Sequence, residues 1–147
     1  MKQVAIYTDG SCSGNPGPGG YAAILQCGRN GFDEHTREVT GGEPNTTNNR
    51  MELQAVVAAL EVIKATCHIT VYSDSLYVIG AFSGNKVKKN ADLILAGHIF
   101  IEAIQMMGGT IGFQHINGHA GAERFGHPLN ERCDQLARAQ TAIQKGA

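Results

Sequence analysis

The chain has 147 residues, 42% hydrophobic and 17% charged, with a formal net charge of −1. That length suits one domain, residues 1–147, large enough to bury a sizeable core. The near-neutral charge argues against nucleic-acid binding through bulk charge, so such a partner needs a local basic patch. No apolar run reaches the ~20 residues that span a bilayer. Cys12, Cys27, Cys67 and Cys133 are scattered and form no C-x-x-C pair. They read as reduced thiols of a cytosolic protein, not as a disulfide framework or a zinc site. The chain enters a strand at once, so no signal peptide is expected.

Gln3 to Cys12 is predicted as the first strand, a short apolar, β-branched and aromatic run. Ser13 to Gly20 is a Gly- and Pro-rich turn. Tyr21 to Cys27 is the second strand. Arg29-Asn30-Gly31 signals a hairpin, and Phe32 to Thr40 is the third strand. Gly41 to Asn45 is expected as a loop. A helix from Thr47 to Lys64 carries the apolar stripe Leu53, Val56, Val57, Leu60 and Ile63. His68 to Asp74 is the fourth strand and Ser75 to Phe82 a short helix. Ser83 to Asn90 is an exposed basic loop. Asp92 to Met107 is a helix so apolar that burial is expected, ended by Gly108-Gly109. Thr110 to Asn117 is the fifth strand and Gly118 to His127 a loop. Pro128 opens the last helix, which runs to about Ile143.

Three strands in a meander, then helix, strand, helix, strand and helix, indicate an α/β fold. A right-handed helical crossover makes the fourth strand parallel to the first and third. Setting it beside the first gives a mixed five-stranded sheet, order 3-2-1-4-5, with the second strand antiparallel and helices flanking. The carboxyl ends of strands one and four then meet where open α/β sheets bind ligands.

Two strands end alike, as Tyr7-Thr-Asp9 and Tyr72-Ser-Asp74. In parallel register, Asp9 and Asp74 sit about one strand spacing, ~4.8 Å, apart. Two carboxylates that close repel by roughly 3 kcal/mol at an effective dielectric near 20. Such a pair usually shares a proton or holds a cation. Glu52 lies in a first helical turn beside Leu53, where a capping pair with Asn49 is the plainer reading. Asp134 has an i,i+4 partner in Arg138, the plainer reading there. Asp9-Gly10 also suits a simple turn. Read together, four acids without a cysteine–histidine cluster suggest hard cations such as Mg²⁺ or Mn²⁺. Two such ions suit hydrolysis of a phosphodiester.

Five motifs carry a family resemblance. They are Tyr7 to Gly20 (YTDGSCSGNPGPGG), Thr46 to Leu53 (TTNNRMEL), Ser73-Asp-Ser75, Gly118-His-Ala-Gly121 and His127 to Asp134 (HPLNERCD). In that order, over nearly the whole chain, they resemble the bacterial type 1 ribonuclease H family. The resemblance implies hydrolysis of the RNA strand of RNA–DNA hybrids, leaving 5′-phosphate and 3′-hydroxyl ends. It implies that Asp9, Glu52, Asp74 and Asp134 hold two Mg²⁺ ions, or Mn²⁺, and that His119 moves protons or helps product leave. For substrate contacts, the Gly10, Ser11, Cys12 and Asn15 region and the Asn48 and Asn49 amides suit sugars and minor-groove edges. Thr47 and Asn48, before a helix N-terminus, suit a DNA phosphate. Lys86, Lys88, Lys89 and Asn130 complete the expected set. No protein partner is expected, and a cytoplasmic monomer is the default.

The sequence departs from the family pattern in three places. Ala122 to Gly126 separates Gly-His-Ala-Gly from His127-Pro128, where many relatives run straight on, which makes His127 a rival to His119. The basic protrusion of many relatives is longer and carries tryptophan, whereas this chain has no Trp. Leu76 stands where relatives often place a polar contact residue. Weaker, strongly salt-dependent hybrid binding is therefore expected. A hybrid-binding module without cleavage, or a transposase or junction nuclease of the same fold, are the alternatives. The four acids count against the first, and the Asn-Asn-Arg-Met-Glu motif and short chain against the second.

Overall fold

The computed structural model describes residues 2–29, 32–85, 87–117 and 128–146. Expectations at Asn30-Gly31, Lys86, and the Gly118–His127 stretch with His119 and His127 lie outside the described residues. The elements are β1 (Lys2–Cys12), β2 (Gly17–Arg29), β3 (Phe32–Thr46), α1 (Asn48–Glu61), β4 (Cys67–Ser73), α2 (Leu76–Phe82), α3 (Ala91–Met106), β5 (Thr110–His115) and α4 (Pro128–Gly146). The sheet order is β3-β2-β1-β4-β5. β2 runs antiparallel to β1 and β3, and β4 runs parallel to β1 and β5. The expected topology is the one found.

Period-2 alternation along β1 sorts its side chains between two layers. Val4 and Ile6 join Leu53, Val56 and Leu60 of α1 in the larger core. Tyr7 and Ile24 meet Cys133 of α4 in the smaller one, with Leu129 and Leu136 packed against it. The sheet is thus covered on both faces, and β1 and β4 both lie in its interior.

Three expectations are corrected. Gly41 to Asn45 is no loop: β3 continues to Thr46, paired to a β2 that begins at Gly17, with a register shift between Gly17 and Gly19. The glycine-rich stretch is strand here because α4 lies on it. A Cβ on Gly20 would stand 2.5 Å from the Ala137 carbonyl oxygen. The first long helix starts with Thr47 as its N-cap, whose Oγ1 accepts from the Arg50 N–H at 3.2 Å. Asn49 therefore sits inside the helix and makes no capping box with Glu52. α3 is not largely buried. Leu93, Gly97, Ile101 and Ile104 face inward, while Leu95, Ile99 and Met106 are exposed. α3 packs outside α1 and meets the sheet at β5, so one stripe suffices to bury its contact.

Candidate active site

Asp9 lies near the end of β1, one residue past the hydroxyl of Thr8, which donates to the Tyr72 carbonyl at 3.4 Å. Tyr7 pairs with Tyr72, an offset of 65 residues, and the same offset leads from Asp9 to Asp74. The two tyrosine rings stack with centroids 4.9 Å apart. The repeated phrase in the sequence is thus the register of two adjacent parallel strands. Asp74 follows the last residue of β4, and the His115 ring nitrogen Nε2 lies 3.2 Å from its backbone carbonyl.

Glu52 arrives from α1. That helix crosses so close to β1 that a Cβ on Gly10 would stand 2.5 Å from the Glu52 nitrogen and 2.7 Å from the Met51 carbonyl carbon. Only glycine allows this approach, and the approach carries Glu52 onto Asp9. One carboxylate oxygen each from Asp9, Glu52 and Asp74 lie within 4.8 Å of one another. Asp9 and Glu52 are both 5% exposed. Glu52 Oε2 has no hydrogen-bond partner.

Burial, then the Asp74 carboxylate, pushes the Asp9 carboxyl up to about 7. Burial and the charges of Asp9 and Asp74 hold Glu52 well above the ordinary carboxylate range. The two side chains hydrogen-bond each other, which raises Glu52 and lowers Asp9. That sign fits a proton held on Glu52 and donated to Asp9. The Gly10 N–H also donates to Asp9 Oδ1 at 2.9 Å. The donor set is all oxygen, buried and converging, and one of its oxygens has no partner. It suits a hard divalent cation.

Asp134 stands apart from this triad. Its Oδ2 lies 3.2 Å from Arg138 Nε, the plain i,i+4 ion pair on α4. Its charge still reaches Asp9 and raises it slightly. The neighbouring Cys133 Sγ donates to the Tyr7 carbonyl at 3.1 Å, which anchors this turn of α4 beside β1.

Beside the acids, Cys12, Gly14, Asn15, Thr47, Asn48 and Asn49 line a cleft of about 490 Å³. The single Cys12 thiol hydrogen is shared between the Gly17 and Thr46 carbonyls, at 3.5 and 3.4 Å, and ties the end of β1 to the start of β2 and the end of β3. Five of the expected substrate contacts, Cys12, Asn15, Thr47, Asn48 and Asn49, therefore share one concave surface. Gly10 and Ser11 lead from Asp9 into it. Asn130 is buried in the first turn of α4, its Oδ1 without a partner. Lys88 and Lys89 line a second groove of about 410 Å³ with Asn49, Leu76 and Tyr77. Leu76 is 69% exposed, an apolar side chain open to solvent at that groove's edge.

A model of the RNase H family matches residues 1–142. The chain is 41% identical over 159 residues to "Ribonuclease H" of Bradyrhizobium sp. (strain ORS 278), covering 99% of this chain and 94% of that protein. The chain belongs to the RNase H family. It is also 42% identical over 153 residues to "Ribonuclease HI" of Brucella melitensis biotype 1, covering 95% and 90% of the two chains. Membership makes it an enzyme of the ribonuclease H class. The RNase H1 of Halobacterium salinarum NRC-1 superposes with a TM-score of 0.72 at 25% identity, over 96% of this chain and 98% of that one. LC11-RNase H1, solved in complex with an RNA/DNA hybrid, gives 0.68 at 26% identity over 95% and 97%.

Sequence reading missed one part of this region. Arg50, between the expected contact Asn49 and the acid Glu52, forks onto Asp92 and Asn90 from α1. These residues lie 40 and 42 positions apart, too far for any local pattern to connect.

Proposed function

We propose that this RNase H family member hydrolyses the RNA strand of RNA–DNA hybrids and leaves 5′-phosphate and 3′-hydroxyl ends. The observation that carries the reading is the buried triad Asp9, Glu52 and Asp74, with oxygens within 4.8 Å of one another and one oxygen lacking a partner. Family membership supports the substrate class, and a structural neighbour has been solved with such a hybrid. Asp9, Glu52 and Asp74 would hold divalent cations, two with substrate present, Mg²⁺ by preference and Mn²⁺ as substitute, with Asp134 completing the site. Bound there, the cations supply an activated water and charge stabilisation for the leaving oxygen of an in-line displacement.

The chain's own residues do the rest. Fixed on an interior strand, Asp9 keeps a carboxylate oxygen within 4.8 Å of those of Glu52 and Asp74. The carboxyl proton between Glu52 and Asp9 would be displaced to solvent by a cation held there. The Gly10 to Asn15 backbone and the Asn48 and Asn49 amides meet the ribose and groove edges, where the 2′-hydroxyl separates RNA from DNA. Thr47 and Asn48, at the α1 N-terminus, take a DNA phosphate. Asn130 contributes a contact from α4. Lys86, Lys88 and Lys89 grip the flanking backbone, and His119 manages the proton or the product. Four free thiols agree with a cytoplasmic setting, and a monomeric single domain is the working form.

A strand-labelled hybrid, with matched RNA and DNA duplexes and Mg²⁺ with or without chelator, tests this reading. Cleavage confined to the RNA strand of the hybrid and lost with chelator is expected. Tight hybrid binding with no cleavage in any divalent metal would leave a binding module instead.

A further inference from the structure

Asn90 occupies the N-cap position of α3, yet it does not cap. Its φ is 63° and ψ 31°, left-handed, and its side chain makes no capping bond. Ordinary N-caps are extended and turn their side chain onto the helix they start. Asn90 instead points away from its helix. Its Oδ1 accepts from Arg50 Nη1 at 3.2 Å, and its Nδ2 donates to the Tyr77 hydroxyl at 2.9 Å. The Tyr77 hydroxyl lies 3.5 Å from the Lys89 carbonyl, to which it donates. Arg50 also forks onto Asp92, Nη1 to Oδ1 at 3.0 Å and Nη2 to Oδ2 at 2.7 Å. A bidentate guanidinium fixes direction as well as distance.

The short segment before α3 is therefore pinned to two elements. Arg50 ties its end to the first turn of α1, next to Asn49. Tyr77 ties it to α2. Between these anchors, Lys88 and Lys89 are exposed and line the groove that also holds Asn49. A left-handed backbone at a non-glycine residue persists where surrounding contacts over-determine it. Here those contacts face Arg50 and Tyr77.

We propose that Asn90, held by Arg50 and Tyr77, is a positioning residue that aims Lys88 and Lys89 along this groove, so that the short basic segment meets a nucleic-acid backbone already ordered. The inference rests on the proposed function only for its ligand, an RNA–DNA hybrid, and not on the cutting of that hybrid. It explains how a segment with few lysines can contribute, because lysines ordered beforehand lose less freedom on binding.

Asn90→Gly tests it cleanly, since glycine accepts the left-handed backbone and removes only the amide. Hybrid binding is measured with chelator present, so that nothing is cut. Asn90→Gly is expected to weaken Kd by roughly threefold to tenfold. The slope of log Kd against log salt should fall by about 1 to 2 as phosphate contacts are lost. In hydrolysis, KM should rise by the same factor with kcat within about twofold. Amide hydrogen exchange at Val87 to Lys89 should quicken in the free variant. In a Lys88→Ala, Lys89→Ala background the Asn90→Gly effect on Kd should vanish. An equal Kd and salt slope for Asn90→Gly and wild type would overturn the proposal. So would a loss that persists undiminished without the lysines. Wild-type protein that binds the hybrid but cuts neither strand would remove the hydrolysis reading while leaving this one intact.

Discussion

Arg50 and Glu52 stand two residues apart on α1 and meet opposite electrostatic surroundings. Arg50 turns outward to an acid 2.7 Å away, and the pair is compensated in partial solvent. Glu52 turns inward, 5% exposed, to the acids Asp9 and Asp74. The outer pair lowers the Asp92 carboxyl to about 2, whereas the inner cluster raises Asp9 to about 7. One helical turn thus contains a contact that supports the fold and one that opposes it. The fold tolerates the second because Gly10 and the β1–β4 register leave the acids nowhere else to go. Such opposed electrostatics mark a site built for a ligand of positive charge.

The largest effect expected is catalytic. Asp9→Asn should lower hybrid hydrolysis by roughly 10³-fold. In metal-free buffer at pH 8 its melting temperature should equal or exceed that of wild type, because one member of the repelling cluster is gone. A large loss of stability instead would break the contrast between inner and outer acids.

Next comes Gly10→Ala, where a Cβ would stand 2.5 Å from the Glu52 nitrogen. Overpacking of this kind costs about 1–3 kcal/mol. Denaturant titration should show that loss, and hydrolysis should fall with it as Glu52 is displaced. An unchanged midpoint and rate would mean that α1 can move off β1 at Gly10 without cost.

The pH dependence of metal-free stability sharpens the contrast further. Asp9 titrates at about 7 in the fold against 3.8 in the open chain. Between those values the folded state binds more protons than the unfolded state, so stability falls as pH rises through this window. Asp92 has the opposite sign. Its folded value of about 2 lies below 3.8, so its contribution is present above about pH 4 and fades as pH falls towards 2. A divalent cation replaces the protons of the inner cluster, so Mn²⁺ should raise the melting temperature more at pH 8 than at pH 5. At 100 times its Kd that gain is about 2.7 kcal/mol. Equal metal stabilisation at both pH values would contradict a proton-sharing cluster.

Smaller effects belong to the outer surface. Asp92→Ala should cost less than about 1 kcal/mol, since the side chain is 63% exposed and the pair is screened. Ile99→Gln, on the open face of α3, should change stability by no more than about 0.5 kcal/mol. Against these surface changes, Leu60→Ala in the core sets the upper mark, at about 2–5 kcal/mol. Thermal unfolding of the three variants ranks them directly.

The topology was legible because local signals chain together: a hairpin, a crossover helix and the Tyr-x-Asp echo left one sensible strand order. The echo also gave the Asp9–Asp74 adjacency, which the tyrosine stack and strand register now explain. Glu52 was legible as a candidate from its motif, but its burial was not, since that depends on how closely α1 crosses Gly10. The burial of α3 was misjudged because hydropathy does not say which layer a helix occupies. α1 buries nine of its 14 residues against the sheet, while the more apolar α3 buries four of 16. The β3 extension was hidden by Gly41-Gly42 and Pro44, residues that usually signal a turn; here Gly41 pairs with Tyr21, Gly42 with Gly20 and Glu43 with Gly19 of β2. Arg50, Asn90 and Asp92 carried no local signal, because their link is tertiary. Asp134 keeps the Arg138 partner that its spacing suggested, and its place in a cation site rests on family resemblance and on its field at Asp9.

The role of Asp9 in metal-dependent hydrolysis is decided by strand-resolved cleavage of a labelled RNA–DNA hybrid, wild type beside Asp9→Asn and with Mg²⁺ beside chelator. Cuts in the RNA strand alone, dependent on the metal and lost in a folded Asp9→Asn protein, are expected. Near-normal cleavage by a well-folded Asp9→Asn protein, or by wild type in chelator, would contradict it.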